Sequence, residues 1–75
     1  MSEITLDLKG LKCPLPVLKT RKALTRLATG DRMTVLTTDP MAEIDIPHLC
    51  SQDGHTLLSA EKTATGHSFL LSKGD

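Results

Sequence analysis

The sequence is poor in aromatic residues: of its 75 residues, one is Phe and none is Trp or Tyr. A chain of this length buries only about 60% of the surface that its unfolded form exposes. Its 39% of hydrophobic residues therefore suffice for one layer of helices on one sheet. We expect a single domain over residues 1–75, with little room for a deep substrate pocket.

The sequence also lacks an excess of charge and a long apolar run. Nine Lys and Arg balance nine Asp and Glu, which disfavours a strongly basic nucleic-acid-binding domain. No apolar run approaches the roughly 20 residues that cross a bilayer. The start, residues 1–3, has neither the basic nor the apolar region of a signal peptide. We expect a cytoplasmic protein without membrane or direct nucleic-acid partners, a monomer that forms transient complexes, with two free thiols.

Alternating apolar and polar residues predict four strands. The residues expected to share one face of each strand are Ile4, Leu6 and Leu8, then Met33, Val35 and Thr37, then Leu58 and Ala60, and finally Phe69 and Leu71. The last two strands form a hairpin around a polar turn at residues 63–66, which contains a glycine.

Two helices are predicted between these strands. The first has Pro14 and Pro16 in its opening turn, runs through residues 19–28 without Gly or Pro, and ends at Gly30. Its apolar face is expected to carry Val17, Leu24 and Ala28.

The second helix is predicted over about residues 41–53, after the capping pair Asp39 and Pro40. Pro47 should kink it or delay its regular start to Asp45. Right-handed crossovers would place both helices on one face of a four-stranded mixed sheet. The fold class predicted is an α+β two-layer sandwich with the order βαβαββ.

Cys13 is the candidate reactive residue. We expect it at the N-cap of the first helix, where the helix dipole, Lys9 and Lys12 would lower the thiol pKa and create a nucleophile. The residues around Cys13 that are expected to support its role are Gly10, Lys12, Pro14 and Pro16. The alternative is an inert surface cysteine.

Several companions of a catalytic cysteine are missing. No second cysteine stands at Cys-x-x-Cys spacing, and no histidine can be assigned as a base among His48, His55 and His67. Zinc binding by Cys13, Cys50, His48 and His55 fits no recurring spacing, so no metal or cofactor is expected. Cys50 shares a helix side with Ile46 and Leu49 and is interpreted as a core residue, with a resolving role opposite Cys13 as the secondary interpretation. What remains is a thiol that accepts a group and hands it on.

Basic residues recur on the first helix at Lys19, Lys22 and Arg26. Such a stripe is usually a solvated helix face, and a docking surface for an acidic partner is the second interpretation. An alternative function follows from it: a regulatory or RNA-binding module that uses the basic face and has no need of Cys13.

Residues 10–18, with Leu6 and Asp7 before them, resemble the Cys-Pro-x-Pro signature of TusA/SirA-type sulfur carrier proteins. Further similar segments follow in the same order: residues 30–31, 38–40 and 45–47, Cys50, and residues 54–55 with Leu57. The segment 45–47 with Cys50 resembles the TusA branch. Position 15 is Leu where some members have an acidic residue, so the donor or acceptor could differ.

The resemblance implies the βαβαββ fold and a persulfide on Cys13. A cysteine desulfurase or rhodanese-type protein would load the sulfur, and an acceptor such as a DsrE/TusD-like protein would take it. Such relays serve tRNA 2-thiouridine formation, molybdenum cofactor synthesis or sulfur oxidation. The resemblance thus implies a sulfurtransferase-type carrier rather than a stand-alone enzyme.

Overall fold

The structure, a computed structural model, describes residues 3–74. Met1 and Ser2, which belong to the start interpreted above, lie outside the described residues, as does Asp75. The elements in chain order are β1 (Glu3–Asp7), α1 (Leu15–Leu24), β2 (Arg32–Thr37), α2 (Ala42–Asp53), β3 (Thr56–Lys62) and β4 (His67–Ser72). The predicted order βαβαββ is confirmed.

The four strands form one mixed sheet in the order β1-β2-β4-β3. β1 runs parallel to β2, and β4 runs antiparallel to both β2 and β3. In this register Val35 of β2 lies between Leu6 of β1 and Phe69 of β4. The two central strands are therefore β2 and β4, and they carry the fully buried side chains of the sheet.

The core lies between the sheet and both helices, which cover the same face. The buried hydrophobic residues are Leu8, Leu24, Met33, Val35, Ala42, Ile46, Leu49, Cys50, Phe69 and Leu71. Leu24 comes from α1, whereas Ala42 to Cys50 come from α2, so the two helices contribute unequally. The two-layer sandwich predicted from the sequence is confirmed. No helix within residues 3–74 is long and apolar enough to span a membrane.

Helix α1 begins one residue later and ends earlier than predicted. Its N-cap is Pro14 and its first residue is Leu15, and Pro16 fills a first-turn position where a missing N–H leaves no bond unmade. It ends at Leu24; beyond the C-cap residue Thr25, the N–H groups of Arg26 and Leu27 bond carbonyls only three positions back. Ala28 consequently lies beyond the helix and is exposed, so its predicted place on the apolar face is wrong.

Helix α2 starts at Ala42, and the predicted delay to Asp45 is wrong. The N–H groups of Ala42 and Asp45 already bond the carbonyls of Asp39 and Met41, at 3.0 and 2.9 Å. This turn closes before the chain reaches Pro47, whose missing N–H would have bonded the carbonyl of exposed Glu43. The helix therefore continues through the proline.

The sheet edges differ from the alternation expected. The β3–β4 register places Leu57 opposite Leu71 and Ala60 opposite Phe69, with an irregularity between Leu57 and Ser59. Because of this bulge, Leu57 and Ala60 share one side of the sheet although they are three positions apart. Leu57 packs against the core, whereas Ala60 is exposed and Leu58 is 43% exposed. The strict alternation predicted for this strand is therefore interrupted.

Candidate functional site

The turn after β1 brings the cysteine to the edge of the sheet where parallel strands β1 and β2 both end. The N–H of Leu11 bonds the carbonyl of Leu8 at 3.2 Å, and Gly10 takes a φ of +87°, which favours glycine. The Gly10 N–H then donates to Oγ1 of Thr38 at 2.9 Å. This bond joins the turn after β1 to the loop after β2.

Asp39 fixes Cys13 against the start of α2. The Cys13 N–H donates to Oδ2 of Asp39 at 2.6 Å, and the Met41 N–H donates to Oδ1 of the same carboxylate at 3.1 Å. The Cys13 thiol in turn donates to Oδ2 of Asp45, with Sγ and Oδ2 3.5 Å apart. Cys13 is thus held by two carboxylates, that of Asp39 in the loop before α2 and that of Asp45 in the first turn of α2.

The thiol is not at the N-cap, and the predicted fall in its pKa is wrong. Pro14 is the N-cap residue of α1, one position after the cysteine. The pKa of Cys13 is raised above its ordinary value by partial desolvation, then by the hydrogen bond to Asp45, and then by the negative charges of Asp45 and Asp39. Lys9, expected to favour the thiolate, pairs with Asp7 at 3.9 Å.

The sulfur opens onto a groove between α1 and α2 with a volume of about 220 Å³. Cys13, Pro14, Val17, Arg21, Asp45, His48, Leu49 and Gln52 line it. The helices are joined at this groove by an ion pair between Nε of Arg21 and Oδ2 of Asp53, 2.7 Å apart. The result is an exposed thiol beside a small cleft with both apolar and charged walls.

The residues predicted to support the motif have distinct places. Gly10 makes the turn described above, and the Lys12 carbonyl accepts the N–H of Leu15 at 2.9 Å. Pro14 is the N-cap residue of α1 and lines the groove, whereas Pro16 is buried and does not line it. Pro16 therefore contributes to packing, and Pro14 faces whatever approaches the sulfur.

The predicted basic stripe is not brought together with Cys13, and its last residue, Arg26, lies beyond the end of α1. Lys19, Lys22 and Arg26 line a separate depression of about 210 Å³, together with Leu6 of β1. Arg21, which the sequence interpretation did not single out, is the basic residue of α1 that lines the cysteine groove.

Sequence reasoning missed the residues of α2 that line the groove, and it missed Asp39. Asp45, His48 and Gln52 stand three and four positions apart, a spacing that places them on one helix side. Given the helix predicted over about residues 41–53, this spacing is enough to predict that the three side chains lie close together. Asp39 gave no comparable signal, because an Asp before a Pro predicts a helix cap and not a bond to a residue 26 positions away.

Cys50 lies in the core, as predicted, and is 2% exposed. Burial, and then the charge of Asp53, raise its pKa to about 11. Within residues 3–74 no three His, Cys, Asp or Glu side chains are grouped so that they could hold a metal ion. Cys13 is therefore the accessible thiol of the described chain.

The chain matches the family described as "Sulfurtransferase TusA" over residues 4–73. Two proteins from Neisseria meningitidis, of serogroups A and B, have names that describe them as sulfur carrier proteins. Each is 50% identical to this chain over 62 residues, which span 83% of this chain and 84% of the relative. The crystal structure of a SirA-like protein from Desulfitobacterium hafniense is 26% identical and superposes with a TM-score of 0.83, covering 96% of this chain and 99% of that one.

Proposed function

The chain belongs to the TusA family of sulfurtransferases, and from this premise we propose that it carries sulfane sulfur as a persulfide on Cys13. The observation that supports this residue is its position: the Cys13 thiol is exposed at the mouth of the groove, whereas Cys50 is buried. A carrier thiol must be reached by two successive partners, and a buried thiol cannot be. We further propose that the protein acts in the cytoplasm.

The proposed transfer is a pair of thiol–persulfide exchanges without net oxidation. The Cys13 thiolate attacks the outer sulfur of a donor persulfide; the donor's S–S bond breaks, and its electron pair stays on the donor sulfur as a thiolate. An acceptor thiolate then attacks the outer sulfur now on Cys13, and the Cys13 sulfur leaves with the electron pair and takes up a proton. Each step forms one S–S bond and breaks one.

The donor proposed is a cysteine desulfurase or rhodanese-type protein, and the acceptor a DsrE/TusD-like protein. The sulfur would enter tRNA 2-thiouridine formation, molybdenum cofactor synthesis or sulfur oxidation. Because the pKa of Cys13 is raised in the isolated chain, we propose that its reactivity develops in the complex with the donor. A partner that brings a cationic group close to Asp39 and Asp45, and so offsets their negative charge, would favour the thiolate.

The experiment is sulfur loading followed by intact mass. The wild-type protein is incubated with a desulfurase and cysteine, or with polysulfide, then freed of small molecules and weighed. We expect a mass increase of one sulfur atom that is lost in Cys13→Ser and kept in Cys50→Ser. The same increase in folded Cys13→Ser would refute the assignment, and loss of loading in folded Cys50→Ser would make Cys50 a functional partner.

We also propose that Lys19, Lys22 and Arg26 form a docking surface for an acidic partner. They line a depression separate from the groove beside Cys13. Replacing all three with Gln should slow loading by a protein donor and leave loading by polysulfide unchanged, because only the protein needs to dock. The RNA-binding alternative predicts instead a salt-sensitive complex with RNA that the triple variant loses and Cys13→Ser retains.

A further inference from the structure

A carboxylate faces the reactive sulfur directly. Oδ2 of Asp45 lies 3.5 Å from Sγ of Cys13, and an ionised carboxylate can only accept a hydrogen bond, so the thiol is the donor. Asp45 belongs to the first turn of α2, whose backbone holds it in place. The contact is therefore one between a protonated thiol and a fixed negative charge.

The other charged groups around the sulfur do not cancel this charge. Asp39, from the loop before α2, binds the Cys13 N–H and adds a second negative charge. Arg21 of α1 also lines the groove, but its guanidinium is paired with Asp53 at 2.7 Å. His48 is the remaining titratable group of α2 on the groove wall. The environment of the sulfur is thus acidic on its α2 side.

Such an environment distinguishes the two forms that a carrier thiol must adopt. In the unloaded form Sγ bears a hydrogen that Asp45 accepts. In the persulfide form Sγ is bonded to a second sulfur and has no hydrogen to donate. The outer sulfur of a persulfide also ionises more readily than a thiol. Asp45 therefore gains a hydrogen bond in one form and meets a like charge in the other.

We propose that Asp45 is a positioning residue that favours the thiol form of Cys13 over its persulfide form, so that the protein releases sulfur to an acceptor and does not store it. This inference rests on the proposed function. In the releasing step the acceptor thiolate bonds the outer sulfur, the Cys13–sulfur bond breaks, and Sγ keeps the electron pair. Sγ then takes a proton from solvent and donates the resulting S–H to Asp45.

The size of the effect follows from the charges involved. Two unit charges about 4 Å apart in water change an equilibrium constant roughly fivefold, and the lost hydrogen bond acts in the same direction. Removing the charge of Asp45 should therefore raise the equilibrium ratio of persulfide to thiol by about fivefold or more.

The test uses Asp45→Asn and a matched control, Glu43→Gln. Both substitutions remove one acidic charge from the first turn of α2, but Glu43 lies near Nε2 of His67 at 3.7 Å and has no bond to the sulfur. Each protein is equilibrated with a fixed mixture of glutathione and glutathione persulfide, and the loaded fraction is read by intact mass. We expect a higher loaded fraction in Asp45→Asn and a wild-type fraction in Glu43→Gln.

A second readout does not depend on sulfur loading. The rate of Cys13 alkylation is measured against pH, and Asp45→Asn should move its midpoint to lower pH while Glu43→Gln leaves it in place. Since Asn can still accept a hydrogen bond, Asp45→Ala is included and should move both readouts at least as far.

The outcomes separate the inference from the proposed function. If no protein takes up sulfur while alkylation shifts as expected, the carrier function fails and the Asp45 contact stands. If the wild type loads but neither Asp45 variant differs from Glu43→Gln in loaded fraction, the inference about Asp45 is overturned and the carrier function stands.

Discussion

The buried thiol of Cys50 should make the protein lose stability in alkaline solution. In the folded chain its pKa is raised from an ordinary value of 9.0 to about 11, by burial first and by the charge of Asp53 second. The unfolded chain therefore releases this proton at a lower pH than the folded chain does. The stabilisation is complete below about pH 9 and is lost as the pH rises towards 11.

The size of the loss can be worked from the same values. Each pH unit between the folded and unfolded pKa is worth about 1.4 kcal/mol. A rise from 9.0 to about 11 therefore removes at most about 3 kcal/mol of unfolding free energy. For a small domain with a total of about 5–15 kcal/mol, this is a large fraction.

Urea unfolding of the wild type and of Cys50→Ala, measured at several pH values from 7 to 11, isolates the effect. Cys50→Ala is expected to be less stable at neutral pH, because it removes a packed side chain that is 2% exposed. The difference between the two proteins should shrink as the pH rises, since Lys and the other titrating groups are common to both. A difference that stays constant to the top of the range would refute the reasoning.

Three further predictions concern the framework of the site. Phe69→Ala empties a position that is 0% exposed and should cost about 3–5 kcal/mol in urea unfolding, whereas Leu58→Ala, at 43% exposed, should cost far less; equal costs would contradict the described core. Asp53→Asn breaks the partly exposed ion pair with Arg21 and should cost about 1 kcal/mol or less, an effect that added salt reduces; a salt-independent loss would argue against the pair. Gly66→Ala would press a Cβ against the Thr37 carbonyl, so its melting temperature should fall, and an unchanged value would contradict that approach of the backbone.

The elements that the sequence predicted well are those whose pattern is local. Alternation around Val35 and Phe69 predicted two of the strands, and both residues are fully buried. The cluster of Pro14 and Pro16 after Gly10 correctly indicated a helix start near Cys13. In each case the informative residues lie within a few positions of each other, so the chain order alone carries the signal.

What the sequence could not give is the set of contacts made across the fold. The bulge beside Leu57 depends on how β3 pairs with β4, and no residue in β3 marks it. The electrostatics of Cys13 were predicted from its neighbours in sequence, Lys9 and Lys12. The groups that face the sulfur come instead from a loop and a helix 26 and 32 positions away. The sequence therefore predicted a fall in the Cys13 pKa, whereas the contacts in the folded chain raise it.

Transfer of isotopically labelled sulfur through Cys13 tests the proposed function most directly. A desulfurase is supplied with ³⁴S-cysteine, the carrier is loaded and separated, and an acceptor thiol protein is then added while both proteins are weighed over time. We expect the labelled sulfur to leave the carrier and to reach the acceptor at the same rate, with no transfer through Cys13→Ser and full transfer through Cys50→Ser. Labelled sulfur that reaches the acceptor equally well with Cys13→Ser, or that stays on the wild-type protein, would contradict a carrier function at Cys13.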